Sequence, residues 1–68
     1  MSPHEMADSF LQKCAGLPLQ PGDKRSVAFI ERNIRLGLYR YDEDAAVLTV
    51  ELGMRVAIQP DGRFTPVA

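Results

Sequence analysis

Residues 34–65 read IRLGLYRYDEDAAVLTVELGMRVAIQPDGRFT, and nearly every strongly apolar side chain among them has an even number. Ile34, Leu36, Leu38, Ala46, Leu48, Val50, Leu52, Met54, Val56, Ile58 and Phe64 form one set. The odd positions hold Arg35, Gly37, Tyr39, Tyr41, Thr49, Glu51, Arg55, Gln59, Arg63 and Thr65, with Val47 and Ala57 as apolar exceptions. A period of two is what a pleated strand needs to bury one face and leave the other wet.

Working outward, parity constrains the turns. Residues flanking a hairpin loop sit opposite each other on one face, so a loop with an odd number of residues keeps the even set together. Asp42-Glu43-Asp44 as a loop sets Tyr41 opposite Ala45, Leu38 opposite Leu48 and Leu36 opposite Val50. Leu52-Gly53-Met54 sets Glu51 opposite Arg55 and Val50 opposite Val56, with Gly53 as a kink in one long strand the alternative. Pro60-Asp61-Gly62 sets Gln59 opposite Arg63 and Ile58 opposite Phe64, and its residues suit a type I turn closed by a left-handed glycine. The expected strands are 34–41, 45–51, 55–59 and 63–66, an antiparallel meander with an apolar even face.

Toward the N-terminus, Ser2, Pro3 and Glu5 form a capping box with proline at the first helical position. Met6, Ala7, Phe10, Leu11 and Cys14 follow as one apolar stripe, and Gly16, Leu17 and Pro18 read as a helix stop. A helix over 3–15 and a loop over 16–22 follow. Residues 23–33 read as either a helix capped by Asp23, with Val27, Ile30 and Ile34 on one side and Phe29 opposite, or a strand from Ser26 to Ile30; the Asp cap favours the helix. The fold class is α+β: an N-terminal helix and a short second helix packed on one face of a four-stranded antiparallel meander, in one small domain spanning 1–68.

A 68-residue chain buries only roughly 60% of its unfolded surface, and small scaffolds offset this with disulfides, a metal or self-association. Cys14 is the sole cysteine and His4 the sole histidine, which excludes an internal disulfide and a structural zinc site of the usual soft ligands. That leaves a very well-packed core or an oligomer, and self-association, as a homodimer, is the favoured expectation. Met1 is followed by neither a basic nor an apolar leader region, and no run approaches the ~18 apolar residues of a membrane span. With a single unpaired thiol, the chain reads as soluble and cytoplasmic.

The net charge of −1 conceals a split. Residues 23–41 carry Lys24, Arg25, Arg32, Arg35 and Arg40 against Asp23 and Glu31, whereas 42–52 carry only Asp42, Glu43, Asp44 and Glu51. The pI of about 5.7 weighs against a dedicated nucleic-acid binder.

Catalytic chemistry finds no constellation. Cys14 and His4 are ten positions apart on one helix, which separates them by roughly 15 Å of rise, and Cys14 on the apolar stripe reads as a buried structural thiol. His4 reads as solvent-facing. Asp42-Glu43-Asp44 lacks the interleaving and glycine of a calcium loop and reads as a solvated turn. The five glycines match no phosphate-binding fingerprint. Neither an enzyme, a cofactor nor a metal site is expected. The odd sheet face is the candidate surface: Arg35, Tyr39, Tyr41, Arg55 and Arg63, flanked by Thr49 and Gln59, combine the residue types enriched at protein interfaces. Gly37, without a side chain, leaves room there for another backbone. The expected function is a non-catalytic protein-interaction module, an adaptor, inhibitor or regulator that binds another protein or a second copy of itself through that face or the 34–41 edge. The alternative is weak single-stranded nucleic-acid binding, with bases stacking on the tyrosines and the arginines tracking phosphates.

Overall fold

The computed structural model describes residues 1–14, 26–59 and 63–67. Helix α1 runs Pro3–Cys14 and α2 runs Val27–Arg35; four strands follow, β1 (Arg40–Asp42), β2 (Val47–Thr49), β3 (Arg55–Ile58) and β4 (Phe64–Pro66), with a 3-10 turn at Glu51–Gly53. The strands form one antiparallel sheet in chain order, the expected meander, and both helices pack on it.

The capping box at the start of α1 is formed on both sides. Ser2 N–H donates to Glu5 Oε1 at 2.9 Å, and Glu5 N–H donates to Ser2 Oγ at 3.1 Å. The backbone bond from Ser2, followed by its hydroxyl, holds the Glu5 carboxyl below the usual carboxylate range. Of the expected stripe, Ala7, Phe10 and Leu11 are buried and Met6 is partly so. The stop signal at Gly16–Pro18, the 16–22 loop and the surroundings of the Cys14 side chain lie outside the described residues.

Helix α2 resolves the ambiguity over 23–33 in favour of a helix, with different ends. Its N-cap is Ser26, not Asp23: the Ser26 hydroxyl accepts from Phe29 N–H at 3.1 Å, satisfying an amide that no earlier turn serves. Its C-terminus runs past Asn33. Leu36 N–H donates to Arg32 O, Gly37 N–H to Ile34 O, and Leu38 N–H to Asn33 O at 2.9 Å. With Gly37 at φ +77, this is a Schellman termination, and Gly37 is the left-handed residue beyond the helix rather than a flat site on a strand. Residues 34–39 are therefore not strand, and the first strand is three residues long.

Two loops depart from expectation, the first in length and the second in position, with different consequences. Between β1 and β2 the register is Tyr41↔Leu48 and Asp42↔Val47, which leaves a four-residue loop, 43–46. Asp42 Oδ1 accepts from the Asp44 and Ala45 amides at 3.1 and 3.3 Å, and Ala46 adopts φ 53 to close the turn. An even-numbered loop reverses parity, so β1 shows odd residues to the helices while β2 shows even ones. Between β2 and β3 the loop is Glu51–Gly53 instead of 52–54, with Val50 N–H bonded to Met54 O at 2.7 Å. The register slips by two, parity survives, and Thr49 rather than Glu51 faces Arg55. The last hairpin has the expected register: Ile58 faces Phe64, and Gln59 N–H bonds Arg63 O at 2.8 Å. Its loop, 60–62, lies outside the described residues.

The core follows from these registers. Ala7, Phe10 and Leu11 of α1 meet Ile30 of α2 and Tyr39, Leu48, Val56 and Ile58. Phe10 sits at its centre, edge-on to Tyr41 (centroids 6.0 Å apart) and to Phe64 (6.3 Å). Phe29, expected opposite the buried side of α2, packs against Tyr39 at 6.3 Å. Leu36 and Leu38, expected beneath the helices, are 62% and 57% exposed, because the helix stop and the reversed parity turn that segment outward.

Truncating the two leucines separates these placements. Leu48→Ala is expected to cost about 2–5 kcal/mol in urea unfolding, as a fully buried side chain leaves a cavity. Leu36→Ala is expected to change stability by about 0.5 kcal/mol or less, since surface substitutions away from special features do little.

Candidate interaction edge

The open flank of the sheet is β1, which among the described residues pairs with β2 alone. The other edge, β4, ends in Pro66, which offers no N–H. Strand β1 is held from beneath. The Tyr41 hydroxyl and Ser9 Oγ are 2.9 Å apart, the Tyr41 ring lies against Phe10, and Lys13 Nζ donates to Glu43 O at 3.3 Å. This edge is thus a short, anchored strand.

Hollows flank it on both faces of the sheet. On the helix side, Met6, Ile34, Gly37, Tyr39, Arg40 and Tyr41 line a depression of about 360 Å³. On the open face, Arg40, Tyr41, Asp42, Thr49 and Arg55 line one of about 470 Å³. A third, of about 210 Å³, lies at the β2–β3 turn between Phe29, Tyr39, Val50, Leu52, Met54 and Phe64. Tyr39 belongs to the first and the third, so it links the apolar ground beside β1 to that beside the turn. Of the large exposed apolar residues, Met54 and a fully exposed Leu52 line the third hollow, and Leu36 and Leu38 flank Gly37 of the first in sequence. Leu52 holds φ 61, a left-handed backbone that a branched side chain rarely adopts, next to Gly53 at φ 76.

The five residues expected on one open face do not share one. Arg35 ends α2, where its Nη2 lies 3.0 Å from Glu31 Oε2; Glu31 Oε1 is 2.8 Å from His4 Nδ1 and so ties α2 to the first turn of α1. His4 thereby makes an inter-helix contact. The hydrogen bond with His4, then that from Arg35, holds the Glu31 carboxyl below the usual carboxylate range. Tyr39 is only 6% exposed, and Tyr41 is half-buried; both point at the helices because β1 carries its odd residues inward. Arg55 and Arg63 are exposed at opposite ends of the β3–β4 ladder, Arg55 bonded through its carbonyl to Val67 N–H and Arg63 through its own to Gln59.

Two residues left out of both sets by the even–odd reading, Arg40 and Asp42, join Tyr41 and Arg55 at the site. Arg40 and Asp42 alternate with Tyr41 and project on the open face beside Thr49 and Arg55. Leu36, Leu38, Leu52 and Met54 are rim rather than core. A local signal was available: an arginine and a glycine at 35 and 37 are the ordinary signature of a helix C-terminus. The described residues contain no group of three or more His, Cys, Asp or Glu able to hold a metal ion, and no helix among them is long and apolar enough to cross a membrane.

Burial, then the nearby Glu51 charge, pushes the Tyr39 phenol above its ordinary value of 10.0. The fold thus prefers the neutral phenol. The contribution is complete below the unfolded pKa and is lost as pH rises through the folded one. Melting temperatures measured from about pH 9 to pH 11 are expected to fall less steeply for Tyr39→Phe than for the unsubstituted chain. Comparison with known protein families, curated proteins and solved structures finds no match to this chain.

Proposed function

We propose that this chain is a non-catalytic protein-interaction module, and that its contact surface is the β1 edge with the apolar rim beside it. One observation carries the reading: Leu36 and Leu38, on either side of Gly37 just ahead of the edge strand, and Leu52 and Met54, which line the hollow at the β2–β3 turn, all stand open to water. A chain this short has few large apolar side chains to spare for the surface, and exposed apolar ground next to unpaired strand backbone is what an extended partner segment covers. Such a segment gains main-chain bonds from the edge. Its side chains alternate between the apolar hollow beneath the sheet and the polar one above.

The single-stranded nucleic-acid alternative draws less support. Arg55 and Arg63 are exposed, yet the rings of Tyr39 and Tyr41, which were to carry the bases, turn toward α1 and α2. Without stacking, that mode retains only its salt-sensitive part.

Selection from a displayed library of random extended peptides tests the reading. Peptides recovered on the unsubstituted chain are expected to lose at least tenfold in affinity on Leu38→Asp, with the melting curve unchanged because Leu38 is exposed. Tight binding of a labelled oligothymidylate that weakens steeply with salt, alongside an empty peptide selection, would favour the nucleic-acid reading instead.

A further inference from the structure

The charges on β1 say which partner its edge fits. Arg40 and Asp42 lie two residues apart on the same side of the strand, and Tyr41 between them points to the other side. Asp42 uses Oδ1 to hold the 43–46 loop, and Arg40 makes no ion pair among the described residues. Consider a second copy laid antiparallel along this edge, with a twofold axis through Tyr41 and perpendicular to the sheet. Each Arg40 then faces the partner's Asp42, and the pair occurs twice by symmetry. Opposite charges directly across an antiparallel pair attract, and like charges repel. Sliding the copy by two residues in either direction sets Arg40 against the partner's Arg40 or Asp42 against the partner's Asp42. A parallel, in-register alignment brings both like pairs together. The centred antiparallel register is therefore the one that satisfies both charges while engaging the whole three-residue strand.

We propose that two copies of this chain pair through β1 in that register, joining two four-stranded sheets into one continuous sheet with all four helices on the same side. This rests on the protein-interaction reading above and names its partner. On the helix side, the two Tyr41 rings become neighbours over the hollows lined by Met6, Ile34 and Gly37. On the open side, the two polar hollows that hold Arg40, Asp42, Thr49 and Arg55 merge. The assembly is closed: an isologous contact consumes both β1 edges, and the outer edges it leaves are β4 strands carrying Pro66, which resist further addition. Pairing also supplies buried surface to a domain whose size leaves it little.

Light scattering and sedimentation equilibrium on the full chain are the first test, with a mass twice the 7.6 kDa of one copy expected. Arg40→Asp makes the edge wholly acidic and Asp42→Arg makes it wholly basic, so each variant alone is expected to run as a monomer. An equimolar mixture of the two is expected to regain the dimer, because the acidic edge of one chain complements the basic edge of the other. Should Asp42→Arg lose its fold with the 43–46 loop, Asp42→Asn keeps the Oδ1 acceptor and removes the charge, and a weakened dimer is expected. Amide exchange over residues 40–42 of the unsubstituted chain, slower at high than at low concentration, reports the same contact without any substitution. A monomer at all concentrations, or a dimer indifferent to both charge reversals, overturns the pairing. A monomer that still captures library peptides at Leu38 overturns only the self-pairing, whereas a monomer that captures none overturns the interaction reading with it.

Discussion

The termination of α2 is the constraint from which the rest of the molecule follows. Asn33 O accepts from both Leu38 N–H and Tyr39 N–H, and Gly37 supplies the left-handed backbone that makes this geometry possible. The chain leaves the helix only at that point, too late for residues 34–38 to pair as a strand. Tyr39 is then the first side chain to pass beneath the helices, where it packs on Phe29, and Leu36 and Leu38 are left outside. A continuous strand from Ile34 reverses all three placements, since the side-chain period of two admits no intermediate.

The aromatic groups follow the same phase. Phe10 of α1 collects Tyr41 and Phe64 edge-on, a geometry worth about 0.5–1.5 kcal/mol per pair beyond area burial. With strands of three or four residues, the ladders are short, and cohesion rests on this buried side rather than on sheet bonds. The functional consequence is a division of labour between faces. Rings go inward as packing, while guanidinium groups at Arg40, Arg55 and Arg63 stay outward.

The two sheet edges are guarded differently, and the difference bears on association. At β4, Pro66 removes a donor and disfavours any added strand. At β1 the guard is charge, Arg40 and Asp42 in a three-residue strand. Charged edges discourage indiscriminate pairing, but a pair of opposite charges also has one complement, its own reverse. In the proposed pairing, the feature that protects the lone chain from arbitrary strands is the one that selects a second copy.

Much of the architecture was legible in the residues themselves. The Ser2–Glu5 capping box, the Ala7–Phe10–Leu11 stripe, the even buried face of Leu48, Val56 and Ile58, and the Ile58–Phe64 register each rest on bonds or periodicities spanning a few residues, and local chemistry decides them. The facing of β1 was not legible. Alternation over Ile34–Leu38 suits a strand and also suits the last turn of a helix; Arg35 and Gly37 are a local sign of the helix end, but alternation alone does not choose between them. Loop 43–46 was closed to inspection for a similar reason: Ala46 takes a left-handed backbone that alanine avoids in isolation and holds only where the surrounding structure over-determines it. Sequence alone determined an α+β meander with a buried even face over its last three strands; tertiary packing decided which side of β1 meets water, because that side is set by where a helix stops and how many residues a turn spends.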